Sequence, residues 1–367
     1  MSDQEKIYLL ALHRLNLIGD STSKKLLEIF GSAEAIFKEK SEKLSKINGL
    51  GVKRIKSLKN DVDLDGAERE LKFIEDNQID FLFFKDKDYP ERLKHCIDGP
   101  IILFQKGNID LHRKPTLSIV GTRKITTHGL KFTEKLVEEL SIFKPVIVSG
   151  FAYGTDITAQ KSAIKNNLQT IGCLAHGLNQ IYPKVHKKYQ PEVLANGGFM
   201  TDFCSDDKFD RNNFLKRNRI IAGLSEATIV IESAEKGGSL VTADIANSYN
   251  REVFALPGRH SDKMSIGCNN LIKKQKAMMI TSAADIVYML GWQIDSKPKP
   301  SNQIELFVDL TADETIVVEA LKQLQKTELD PLALKCNIPT FKLSTILLNL
   351  ELKGLVRPLP GKQFELI

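Results

Sequence analysis

The strongest constraint on the fold is an alternation of short apolar runs with longer amphipathic segments between about residue 80 and residue 290. The short runs have the length of buried strands, and the longer segments, such as 130–140 and 239–249, carry apolar residues at helical spacing. Strands that alternate with helices indicate right-handed crossovers, so we predict an α/β fold with a mostly parallel sheet. The clearest predicted strands are 117–120, 146–148, 170–174, 228–231 and 253–256.

The first of these strands is followed by Gly121, Thr122 and Arg123. In a parallel sheet, ligands bind beyond the carboxyl ends of the strands. A dinucleotide site would have Gly-x-Gly-x-x-Gly at this point, and its absence disfavours NAD or FAD. A glycine turn, a hydroxyl group and an arginine beside a predicted helix start favour an anion site instead.

The second strand leads into a loop that contains Ser149, Gly150 and Gly154. The two glycines allow the backbone to come close to a ligand, and the serine can donate a hydrogen bond. Asp156 lies near the start of the next predicted helix, where we interpret it as a helix cap rather than a catalytic residue.

A lysine beside an aromatic residue follows the third strand, at Lys184 and Tyr182. This combination suits a single nucleic-acid strand, which offers both phosphates and exposed base faces.

The fourth candidate segment contains Arg217, Asn218 and Arg219. On a regular helix, side chains two positions apart point about 200° apart. Unless the segment begins extended, only one of the two arginines can face a ligand while the other stabilises the structure. Further along, Gly238 and Ser239 open a predicted helix and form another amide-lined anion site. Because all these loops meet at one sheet edge, we predict a phosphate-binding site there.

The sequence offers no positive case for an enzyme or a cofactor. It lacks a P-loop, a His-Glu-x-x-His motif and a Gly-x-Ser-x-Gly elbow. The five cysteines are scattered and form no Cys-x-x-Cys pair, so neither a metal site nor a disulfide framework is expected and a reducing compartment fits. No stretch supplies the roughly 18 apolar residues of a membrane span, and the polar N-terminus does not resemble a signal peptide, so we expect a cytoplasmic protein.

Two smaller regions flank the α/β segment. Residues 1–76 have helical spacing, and Gly49-Leu50-Gly51 lies between two predicted helices, which is similar to a helix-hairpin-helix motif. The turn amides either meet a DNA phosphate or belong to a helical domain whose lysines are merely solvated. Residues 309–367 resemble a winged-helix domain. The second helix of its predicted helix-turn-helix, residues 340–351, contains Lys342 as its only cation. This favours protein contacts over DNA contacts.

The motifs together resemble one family, DNA-processing protein A, also called DprA or Smf. The segments that carry the resemblance are 121–123, 149–156, 181–184, 217–224, 238–243 and 257–258. The resemblance implies an extended Rossmann-like domain at 77–292, preceded by a helical (helix-hairpin-helix or SAM-like) domain at 1–76. A linker at 293–308 and a winged-helix-like tail at 309–367 follow. Phe151, Thr155 and Asn179 depart from the usual family residues.

The same resemblance implies a function. Such proteins bind incoming single-stranded DNA during natural transformation, load the recombinase RecA onto it, help to displace single-strand-binding protein, and act as homodimers through the Rossmann-like domain. By resemblance, Arg123 and Lys184 are the DNA-contacting arginine and lysine.

Two alternatives stay open at this point. A Rossmann-like nucleotide or ribosyl-phosphate hydrolase would have a glutamate after its Pro-Gly-Gly-x-Gly-Thr segment, and the corresponding stretch 236–243 lacks that glutamate. The third possibility is a docking protein in which the loops bind nothing.

Overall fold

The computed structural model describes residues 1–112, 114–293, 310–353, 355–359 and 363–366. The chain divides into two compact units, residues 1–294 and 295–367. In the described part of the chain, no helix is both long and apolar enough to cross a membrane.

The first 76 residues are helical, as predicted. Buried leucines of the first helix, such as Leu9 and Leu12, join the same apolar core as the neighbouring part of the sheet. This region therefore packs onto the α/β fold within one compact unit, and the boundary predicted between residues 76 and 77 stays a prediction. The helices are α1 (Asp3–His13), α2 (Asp20–Phe30), α3 (Ala33–Lys38), α4 (Ser41–Leu44), α5 (Val52–Asn60) and α6 (Leu64–Asp76).

A nine-stranded sheet forms the centre of the larger unit, in the order β1-β2-β6-β5-β4-β3-β7-β8-β9. In this spatial order, all neighbouring strands from β6 through β5, β4, β3, β7 and β8 to β9 are parallel, whereas β1–β2 and β2–β6 are antiparallel. The predicted mostly parallel α/β fold is therefore confirmed. The strands are β1 (Asp80–Phe83), β2 (Ile102–Gly107), β3 (Thr116–Val120), β4 (Val146–Ser149), β5 (Thr170–Cys173), β6 (Gly197–Thr201), β7 (Ala227–Val230), β8 (Glu252–Ala255) and β9 (Met278–Met279).

The prediction missed the antiparallel edge and β6. The latter begins with Gly197 and Gly198, which weaken its strand pattern. Both glycines are needed for close strand approach, because a Cβ atom would lie 2.1 Å from the Thr170 carbonyl oxygen and 2.2 Å from that of Lys106, respectively.

Helices cover both faces of the sheet. Alternate strand residues such as Leu117 and Ile119 face one apolar core with α8 and α9, whereas Val146 and Val148 face the other with α11 and α12. These crossovers place the loops after β3, β4 and β7 at one edge. The helices of this region are α7 (Glu91–Lys94), α8 (Thr127–Leu140), α9 (Thr155–Lys165), α10 (Gln190–Ala195), α11 (Asn212–Leu224), α12 (Gly238–Ser248), α13 (Ile266–Lys273) and α14 (Ala283–Leu290).

In its described residues, the smaller unit contains three helices and a three-stranded antiparallel sheet in the order β10-β12-β11, which confirms the winged-helix prediction. The Lys342 ammonium group pairs with Asp313 at 2.7 Å. The predicted linker 293–308 lies outside the described residues, except for residue 293. The elements are α15 (Ala312–Leu324), β10 (Lys326–Glu328), α16 (Leu329–Cys336), α17 (Thr340–Leu352), β11 (Val356–Leu359) and β12 (Gln363–Leu366).

Candidate functional site

A cavity of about 720 Å³ opens at the carboxyl edge of the parallel strands. Its wall contains four cations and, among the described residues, a single carboxylate, Asp156. The cationic side chains are Arg123, Arg211, Arg217 and Lys236. Of the residues predicted from the sequence, the structure brings seven to this wall: Gly121, Thr122, Arg123, Arg217, Asn218, Gly238 and Ser239.

Backbone hydrogen bonds fix the loop that carries Arg123. The Thr122 amide donates to the Glu232 carbonyl oxygen at 2.7 Å, and the Thr122 carbonyl accepts from the Thr155 amide at 3.1 Å. Gly154 has φ +74°, and a Cβ atom there would lie 2.2 Å from the Thr122 carbonyl oxygen. Gly154 therefore lets two loops pack closely and does not itself line the cavity.

At the start of α8, where the sequence predicted an anion site, a carboxylate of the protein itself accepts hydrogen bonds. The Glu232 carboxylate accepts from the Thr126 amide at 2.9 Å and from the Thr126 hydroxyl at 2.5 Å. This carboxylate lies against Gly129, where a Cβ atom would be only 2.6 Å away. The positive charge that this loop offers to a ligand in the cavity is consequently that of the exposed Arg123 guanidinium.

Arg123 lies beside an aromatic cluster that consists of Tyr182, Phe209 and Phe214. Its guanidinium carbon is 5.0 Å from the centroid of the Phe214 ring. The Tyr182 ring is 4.9 Å from Phe209 and 5.8 Å from Phe214, and Tyr182 and Phe209 are 38% and 46% exposed. The sequence pointed only to Tyr182. The other two lie between β6 and the middle of α11, where no strand-end or periodic signal marks them.

Arg217 is buried beneath the cavity and holds two strand ends together. Its Nη1 donates to the Gly150 carbonyl oxygen at 2.8 Å and to the Cys173 carbonyl oxygen. Burial lowers the pKa of this guanidinium group, an effect that the negative charge of Asp156 opposes. Arg217 therefore contributes charge to the floor of the cavity and rigidity to its loops.

Asp156 stabilises the loop after β4 rather than capping α9. Its Oδ2 accepts from the amides of Gly150 at 3.1 Å and Ala152 at 3.3 Å, and the N-cap position belongs to Gly154. Burial raises the pKa of this carboxyl group, whereas Arg217 and the two amides lower it. The cap interpretation was wrong because the side chain points back to the preceding loop.

Arg219 does not reach the cavity. On the other side of α11, its Nη2 pairs with Asp20 at 3.1 Å and with Asp202, and its Nη1 donates to the Asp98 carbonyl oxygen. Burial opposes the charge of Arg219, but the carboxylates of Asp202 and Asp20 outweigh it and raise the pKa. The regular helix separates the two arginines, so Arg219 stabilises the packing of α2 against the sheet.

Three further predicted residues also lie outside the cavity wall. Ser149 is fully buried and donates to the Ile119 carbonyl oxygen at 2.7 Å, and Gly150 lies beneath Arg217. Lys184 is exposed two residues beyond Tyr182, at the start of a short 3-10 turn.

The start of α12 provides the remaining anion-binding feature. Gly237 occupies the N-cap position without a side-chain cap, and Gly238 has open space beside it. The Ser239 hydroxyl donates to that of Ser233 at 3.0 Å, which fixes this turn. Helix amides and the helix dipole favour negative charge at such a position.

The fold defines a Rossmann-like protein, and the basic, aromatic cavity is its candidate ligand site. The chain belongs to the DNA recombination-mediator protein A family, whose model matches residues 80–291. A DprA winged-helix domain model matches residues 298–362.

Individual relatives agree with this assignment. The chain is 30% identical to protein Smf from Synechocystis over an alignment of 400 positions that spans both chains completely. It is 37% identical to DNA processing protein DprA from Streptococcus pneumoniae over 55% of this chain and 71% of the relative.

Two solved structures are similar to the chain. The X-ray structure of DprA from S. pneumoniae has a TM-score of 0.66 at 30% identity and covers 78% of this chain and 98% of that one. A structure of the protein from Helicobacter pylori, which concerns its single-stranded DNA binding mode, has a TM-score of 0.52 at 31% identity and covers 58% and 95%.

Proposed function

We propose that this protein binds single-stranded DNA in the strand-edge cavity and acts on it as a recombination mediator. The observation that carries the proposal is the contact between an exposed guanidinium group and an exposed aromatic cluster. Arg123 offers charge to a phosphate, and Tyr182 and Phe209 offer ring faces to unpaired bases. Duplex DNA hides its base faces and cannot use the second feature.

The rest of the cavity wall offers further positions for the phosphates of a DNA strand. Arg211 and Lys236 are exposed in the cavity wall, and Lys236 lies two residues before the start of α12. A mononucleotide would occupy one such feature, whereas a strand with several phosphates engages all of them. Such contacts carry little base identity, so sequence preference should be slight.

Family membership supports a finer role, which we also propose. The protein would protect DNA that enters the cytoplasm during natural transformation, load RecA onto it and assist in displacing single-strand-binding protein. We further propose a homodimer through the Rossmann-like region. Its edge strand β9 exposes Met279, and the adjoining α14 exposes Tyr288 and Met289 at 84% and 46%. A solution mass measurement with and without RecA tests both associations, and a monomer that ignores RecA would contradict them.

The binding experiment uses fluorescence anisotropy with labelled oligo-dT and with a duplex of equal length. Oligo-dT should bind more tightly, and its affinity should fall steeply with salt because phosphate contacts release counterions. Arg123→Ala and Lys184→Ala should weaken binding to all sequences alike. Unchanged affinity in both folded variants would place the site elsewhere.

We propose that the site is not catalytic. Asp156 is the one carboxylate in the described cavity wall, and its Oδ2 already accepts two backbone amides. A ribosyl-phosphate hydrolase needs a carboxylate that can reach its substrate. A nucleotide-release assay on the purified protein checks this point, and turnover that disappears in loop variants would overturn the proposal.

A further inference from the structure

A second concentration of positive charge lies outside the cavity, in residues 40–60, which we call the basic hairpin segment. It contains seven lysine or arginine residues and one glutamate, a net charge of +6. The entire chain of 367 residues also has a net charge of +6. The other residues are therefore neutral in sum, and the excess charge of the protein resides in this one segment.

The cations of this segment are largely uncompensated. Lys46, Lys53 and Lys56 are exposed, and within the fully described range 1–112 none of them has a carboxylate at ion-pair distance. Arg54 donates to the Gly49 carbonyl oxygen at 2.7 Å, a neutral partner that leaves the charge in place. Lys43 is different, since it pairs with Glu39 at 2.7 Å.

The turn between α4 and α5 projects into open space. Gly49 has φ +89°, and a Cβ atom on either Gly49 or Gly51 would meet nothing within 4 Å. Leu50 anchors the turn in the core, whereas Val52 is 83% exposed. A rod-shaped polyanion can therefore approach the backbone and the lysines together.

This surface differs from the cavity in having cations without stacking groups. The aromatic residues of range 1–76, all of which the structure describes, are partly buried, and none is exposed: Tyr8, Phe30, Phe37 and Phe73. Cations without exposed rings bind phosphates and not bases, and duplex DNA presents phosphates at higher linear density than a single strand does.

We propose that the basic hairpin segment is a second nucleic-acid site, which binds the phosphate backbone of duplex DNA without sequence preference. No residue of range 1–76 lines the described cavity, so both sites can be occupied at once. The protein would then hold a single strand in the cavity while it is attached to neighbouring duplex. The hairpin site does not depend on the function proposed for the cavity.

The test measures binding of a blunt 24-base-pair duplex, about two helical turns, to the full chain by fluorescence anisotropy at several salt concentrations. The variant Lys46→Gln, Lys53→Gln, Lys56→Gln should lose about tenfold or more in duplex affinity. The magnitude of its salt slope should fall by about 0.9 for each phosphate that the variant no longer binds. The corresponding triple change to arginine, which keeps the charge, should retain binding.

The matched control is Lys131→Gln, Lys165→Gln, Lys274→Gln, which removes the same charge from exposed positions on other elements. It should change duplex affinity by less than the hairpin variant does, and thermal unfolding should show that both triple variants are folded. Equal losses in the two triple variants would overturn the proposal in favour of general electrostatics. Loss of duplex binding in Arg123→Ala to the same extent as in the hairpin variant would overturn it in favour of the cavity.

Discussion

Helix α11 carries one arginine on each of two faces, and the two arginines have different surroundings and different roles. Towards the sheet edge, Arg217 lies under the cavity and Phe214 lies beside Arg123. Towards the N-terminal helices, Arg219 is enclosed by Asp20 and Asp202. The comparison teaches that the charge of Arg219 is compensated by the two carboxylates with which it pairs. Arg217 instead hydrogen-bonds neutral carbonyl oxygens and contributes its charge, opposed in part by Asp156, to the floor of the cavity.

Removing Arg219 should produce the largest effect of the comparison, on stability alone. Arg219→Ala leaves the buried carboxylate of Asp202 and the partly buried carboxylate of Asp20 without their cation, and we expect a loss of about 3–5 kcal/mol in the free energy of unfolding. Urea denaturation measures this. Arg219→Lys should lose less, because the ammonium group keeps a positive charge beside the carboxylates, although it cannot replace both guanidinium nitrogens. A variant with normal stability but no DNA binding would break the distinction between the two faces.

Arg123 should show the reverse behaviour. Arg123→Ala removes an exposed cation, so oligo-dT affinity should fall by about tenfold to a hundredfold, the value of a charge-assisted hydrogen bond of about 1.5–3 kcal/mol. The unfolding midpoint should not move. Arg123→Lys keeps the charge but loses the planar contact with Phe214, and should fall between the two. Anisotropy titrations rank the three proteins, and equal affinity of alanine and lysine variants would refute the role of charge.

Phe209, an exposed ring of the aromatic cluster beside Arg123, sharpens the comparison by separating bases from phosphates. Phe209→Leu keeps an apolar side chain and removes the ring, so oligo-dT affinity should fall by an amount equivalent to about 1 kcal/mol, the lower end for base stacking. Duplex affinity should not change, since paired bases are unavailable. Parallel titrations with both ligands show the difference, and equal losses for duplex and single strand would speak against stacking.

Lys184 should have the smallest effect. It is exposed and outside the cavity wall, so Lys184→Gln should weaken oligo-dT binding by about 0.5 kcal/mol, as for a solvated charge contact. The magnitude of the salt slope should drop by about 0.7, as expected for one phosphate on a single strand. A loss as large as that of Arg123→Ala would show that the loop after β5 closes over the cavity when DNA binds.

The sequence by itself determined the elements whose signals are local. The strands β3, β4, β5, β7 and β8 are apolar runs, so burial on both faces was visible in composition. The loop Gly121–Arg123 was visible because a glycine turn with a cation follows such a run, and family membership rests on these same short segments. Even the separation of Arg217 from Arg219 followed from helical geometry alone.

Only the tertiary structure decided which arginine lines the cavity and which aromatic residues join it. Asp20 and Asp98 are more than a hundred positions from Arg219, and Phe209 lies 27 positions from Tyr182, so no local pattern records these contacts. The same holds for Glu232, which occupies the start of α8 from the end of a different strand. Charge partners and ring clusters depend on distances between segments that only packing of the complete chain brings together.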